Sequence, residues 1–126
     1  MNPNVLKIYY SSLFLGAVLL AGCSKSGTSE ADMEPAKVPM AVSRAFEKSS
    51  GETKQAAEIC ASSLEKQDVP TAFQQLQRIS RKSDLTPEQR AVVTKAMQAA
   101  FKQLQSAAEQ GDASAQAVMN NYLSTR

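Results

Sequence analysis

Along most of this chain the apolar residues recur every three to four positions. Val38, Val42, Ala45 and Phe46 fall at i, i+4, i+7 and i+8, one face of a short helix starting near Pro39. Ser49-Ser50-Gly51 ends it, and Ser50 or Gly51 can cap the next helix, Glu52 to Lys66. There Ala56, Ile59, Cys60 and Leu64 share a face. A tight turn follows. Asp68 is a good N-cap and Pro70 sits where a missing N–H costs nothing. Val69, Ala72, Phe73, Leu76 and Ile79 then form the clearest stripe in the sequence.

Thr86-Pro87-Glu88-Gln89 carries the strongest start signal. Thr86 can cap, Pro87 takes the first helical position, and Gln89 can complete a capping box. The spacing predicts a long helix to Gln110, with Val93, Met97, Ala100, Phe101, Leu104 and Ala108 on its apolar side. Gly111 is a stop signal, Asp112 caps a last helix, and Val118, Met119 and Tyr122 are its apolar positions. The expected fold is all-α: a small bundle of about five helices spanning 38–126. The abundance of Ala and Gln and the scarcity of Gly support this reading.

The first part of the chain has a different pattern. Ile8 to Leu20 is an unbroken run of 13 mostly apolar residues behind Lys7, and Ala21, Gly22 and Cys23 follow. A spanning helix needs about 20 apolar residues, so an export signal fits better than a permanent anchor. Residues 24–37 are polar, with Gly27 and Pro35. They hold too little apolar surface to order themselves and read as a flexible tether.

Leu20-Ala21-Gly22-Cys23 resembles the lipobox of bacterial lipoproteins. The resemblance implies that Leu20, Ala21 and Gly22 are read by a signal peptidase, that residues 1–22 are removed, and that Cys23 carries lipid. It implies a protein anchored to a membrane through Cys23 and facing the periplasm. Ser24, not Asp, after the cysteine leans towards the outer membrane in that family. Two or more acyl chains, at about 0.8 kcal/mol per buried CH₂, make a stable anchor.

Composition narrows the function classes. Of the charged side chains only Lys7 lies in the signal, so the mature chain keeps thirteen Lys and Arg against twelve Asp and Glu. That balance gives no support to a nucleic-acid partner. There is no His, which removes the commonest general base and metal ligand. With Cys23 lipidated, Cys60 has no partner for an intramolecular disulfide and reads as a small core residue.

No catalytic set, metal-ligand cluster or phosphate loop has the required spacing, so no enzyme and no cofactor are expected. Asp84, Glu88 and Asp112 lie near helix starts, where negative charge is favourable, and Glu58 and Glu65 lie off the stripes. Arg78, Arg81 and Lys82 crowd one helix end. They complement the dipole there and are also the candidate contact for an anion or partner.

The second and third helices resemble a single tetratricopeptide-type hairpin over about 35 residues. Asp68-Val69, Ala72, Leu76 and Ile79 match its turn and second helix, and Cys60 falls at a small-residue position. Ala56 and Ser63 stand where that repeat carries larger side chains. Together these features imply a non-enzymatic interaction or assembly module, whose partner is an envelope protein. A structural, self-associating lipoprotein forming homo-oligomers is the alternative.

Overall fold

The computed structural model describes residues 32–126, and all statements of structure concern these residues. The lipobox residues Leu20, Ala21, Gly22 and Cys23 lie outside them. Five α-helices follow a 3-10 turn at Pro35–Lys37: α1 Val38–Ala45, α2 Gly51–Glu65, α3 Val69–Ser80, α4 Pro87–Glu109 and α5 Ala113–Ser124. The expected all-α bundle of about five helices is present, and the described residues contain no strand.

The folded unit begins at Asp32, earlier than the boundary at Val38 drawn from the sequence. Met33 packs against the core, Pro35–Lys37 form one 3-10 turn, and Lys102 forms an ion pair with Asp32. The low hydropathy of 24–37 hides this, because one apolar side chain with a neighbour to cover it is enough to dock a short segment.

Local signals set most helix ends. Thr86 Oγ1 accepts from Gln89 N at 3.1 Å, while Gln89 Oε1 accepts from Thr86 N at 3.0 Å, the reciprocal capping box. Gln89 does a second job. Its Nε2 donates to Ala45 O at 3.1 Å and Ser49 Oγ at 3.2 Å, which ties the start of α4 to the end of α1. Asp68 and Asp112 accept from Thr71 N and Ala115 N. Ser50 occupies the N-cap position of α2, but its side chain makes no capping hydrogen bond.

The middle helix is α3, which packs on α2, α4 and α5, while α1 covers α2 and α4. Its stripe is buried as expected: Ala72, Phe73, Leu76 and Ile79 are each at most 1% exposed. Its neighbours present small residues. Eight of the eighteen buried apolar residues are alanines, including Ala56, Ala57 and Ala61 on α2 and Ala96, Ala99 and Ala100 on α4. Small side chains let α2 and α4 approach the bulky face of α3 closely.

Two of the expected stripes shift here. Ile59 is 38% exposed and leaves the core to Ala57 and Ala61. Met97 and Phe101 are only partly buried, while Ala96 and Ala99 are inside. A periodicity count weighted by side-chain size cannot see that alanines take the buried positions.

Candidate functional site

The sequence places Arg78, Arg81 and Lys82 together at the end of α3, and the structure separates them. Arg78 lies in the last turn of α3, and Lys82 lies two residues beyond the end of that helix. Glu52, in the first turn of α2, lies opposite both, because a tight α2–α3 turn brings the two open ends together. Arg78 Nη2 meets Glu52 Oε1 at 2.6 Å and Lys82 Nζ meets Glu52 Oε2 at 3.2 Å. Both carboxylate oxygens are engaged. The hydrogen bond from Arg78, then that from Lys82, holds the Glu52 carboxyl below the usual glutamate range.

Sequence reading missed Glu52. The signal that could have found it is geometric: in a two-helix hairpin, the first turn of one helix faces the last turn of the other.

Arg81 forms no ion pair among the described residues. It caps the C-terminus of α3 and, with Arg78, lines a cleft between α3 and α5. The cleft has a volume of about 480 Å³. Gln74, Gln75 and Gln77 line it from α3, and Asn121 from α5. Ala117 and Val118 complete it. The cleft lining holds two cations, four side-chain amides and no carboxylate. Gln75 Oε1 is shielded from solvent and accepts no hydrogen bond.

A second groove, of about 380 Å³, runs between α4 and α5. Its lining is mainly apolar, from Phe73, Met97, Phe101, Tyr122 and Leu123, with Thr94, Gln98 and Arg126 as the polar members. The rings interlock, with centroids 5.1 Å apart for the edge-on pair Phe73–Tyr122, 5.8 Å for Phe101–Tyr122 and 6.1 Å for Phe73–Phe101. The Arg126 guanidinium sits over the Tyr122 ring at 5.3 Å.

Cys60 is fully buried on α2 and free, and burial pushes its thiol up to about 12. At neutral pH it stays protonated, in contact with the core alone, and so lacks the thiolate a reactive cysteine needs. Glu58, Glu65, Asp84, Glu88 and Glu109 are exposed. Among the described residues no group of three or more acidic or cysteine side chains is placed to hold a metal ion. No helix among them is long and apolar enough to cross a membrane. No family model, curated protein or solved structure matches this chain.

Proposed function

We propose that this protein is a membrane-anchored envelope lipoprotein that acts as a non-enzymatic interaction or assembly module. The observation that carries the reading is the short distance in sequence between Cys23 and the folded unit that begins at Asp32. Nine Cα steps extend at most about 30 Å. A lipid on Cys23 therefore holds the helical unit close to a bilayer surface, where its surface clefts can meet other envelope proteins. Signal removal after Gly22 exposes the amine of Cys23 for further acylation, and Ser24 favours the outer membrane.

A second reading has its own support. Met40 is 60% exposed and Leu123 52% exposed, and Ile59 adds a third apolar side chain at the surface. Self-association that covered them would suit a structural lipoprotein with no dedicated partner.

Two measurements test the proposal. Mass spectrometry of the mature N-terminus should find a lipidated Cys23, and Cys23→Ser should leave the chain unprocessed and unlipidated. In-cell crosslinking of the tagged full chain should then capture one envelope protein in near-equal amount. Recovery of self-crosslinks alone would replace the module with the self-associating lipoprotein. Substrate turnover lost in a single Glu→Gln variant would overturn both.

A further inference from the structure

We propose that the cleft between α3 and α5 receives an acidic, extended peptide segment of a partner protein, with Arg81 as its charge contact. The inference rests on the interaction-module reading and adds the partner's chemistry to it.

The argument starts from the lining. Arg78 and Arg81 are its only charged groups, so the cleft is positive and complementary to carboxylates. The two arginines are not equivalent. Glu52 neutralises Arg78 and fixes its guanidinium, while Arg81 has no carboxylate partner among the described residues. A free guanidinium offers its donors in a planar fork that a carboxylate fits with two parallel hydrogen bonds.

The rest of the lining selects a peptide. Gln74, Gln77 and Asn121 are side-chain amides that donate and accept, as an extended backbone does. The lining contains no aromatic ring on which a sugar face could stack, which disfavours a glycan. The aromatic groove lies elsewhere, between α4 and α5.

Fluorescence anisotropy tests the inference. The protein is the mature, lipidated chain in neutral phosphatidylcholine vesicles. The probe is a dye-labelled, end-blocked peptide of alternating glutamate and glycine. The expected result is saturable binding that fades at about 1 M salt, where the screening length is about 3 Å. Arg81→Gln should weaken it about tenfold, the scale of one lost charge-assisted hydrogen bond. Asn121→Asp, which puts a like charge in the cleft, should weaken it too. Arg90→Gln, an exposed change on α4 outside the cleft, should leave it unchanged.

Equal binding of the matching glutamine–glycine peptide would overturn the inference. So would wild-type affinity in Arg81→Gln. Absence of peptide binding alongside binding to vesicles containing phosphatidylglycerol would assign Arg81 to lipid headgroups and overturn it as well. Binding of polygalacturonate in place of the peptide would overturn it in favour of a glycan. The module and the cleft's ligand can be told apart by experiment. A crosslinked partner retained by a chain that ignores the peptide sinks the cleft and leaves the module standing. Peptide binding with no captured partner would sink the module and, with it, a partner's segment as the occupant of the cleft.

Discussion

The hairpins α2–α3 and α4–α5 turn the same corner with different residues. In each, a C-cap residue is followed by one with positive φ and then by an aspartate: Lys66-Gln67-Asp68 and Gln110-Gly111-Asp112. Asp68 N donates to Ser63 O and Gln67 N to Leu64 O, while Asp112 N donates to Ala107 O and Gly111 N to Ala108 O. Both are Schellman motifs. In both, the aspartate that closes one helix caps the next through its carboxylate. One residue thus ends one helix and starts another, which is why each link is so short.

The hairpins differ in what surrounds the shared corner. Gln67 takes φ 60° with a side chain that opposes it, whereas Gly111 takes φ 94° freely. The first hairpin is closed at its open end by Glu52, Arg78 and Lys82, and its α3 lies in the middle of the bundle. The second has no ion pair at its open end among the described residues, and Tyr122 and Met119 of α5 are only half-buried. The same corner geometry therefore sits in elements of unequal burial. Burial decides the difference, since a corner contributes about 1 kcal/mol while a packed aromatic contributes several.

The largest test of this contrast compares Phe73 with Tyr122, which touch each other edge-on. Phe73→Ala should cost about 3–5 kcal/mol in a denaturant melt, the range for truncating a buried aromatic. Tyr122→Ala should cost about 1–2 kcal/mol, because its ring is partly solvated already. Equal costs would mean that α5 is as integral to the core as α3, and would break the comparison.

The corners come next. Gly111→Ala should lose about 1–2 kcal/mol, the penalty of a Cβ at positive φ. A Cβ there meets no atom within 4 Å, so no steric clash enters the cost. Gln67→Gly should move the other way and raise the stability by up to about 1 kcal/mol. If Gln67→Gly destabilises, the Gln67 side chain has a role beyond tolerating the turn.

The caps sharpen the equality. Asp68→Ala and Asp112→Ala should each cost about 1 kcal/mol, within a few tenths of one another. A larger loss at Asp68 would show the corner of the first hairpin to be coupled to the packing of α3.

The smallest effect is one of pH. The folded-state pKa of Glu52 lies below its unfolded value. Its stabilising contribution is therefore complete above about pH 4.3, the ordinary glutamate value, and is lost as pH falls through the lower folded value. Acid titration of the wild-type chain should show that loss and Glu52→Gln should lack it. Hydrogen exchange should place the change at the open end of α2–α3 and leave α5 unaltered.

The helices and their ends were legible in the sequence because caps, prolines and glycines act within four residues of one another. Thr86 and Gln89 illustrate this: their spacing alone predicts both hydrogen bonds. Gln89 also reaches Ala45 and Ser49, more than forty residues earlier in the chain, which no local pattern announces. The candidate cations were found, but not their fates. Glu52 takes Arg78 and Lys82 and leaves Arg81 at the cleft, a division set by which helix ends meet.

What the chain determined by itself is its helical class, the five helices, the two aspartate corners and the bulky stripe of α3. These follow from hydrogen bonds and rotamer preferences between near neighbours. Tertiary structure decided that alanines of α2 and α4 are buried, that Ile59 is partly exposed, and that Met33 packs against the core. It also decided that a cleft opens between α3 and α5. Those outcomes depend on how closely two helix axes approach, a distance set by side chains from both partners at once.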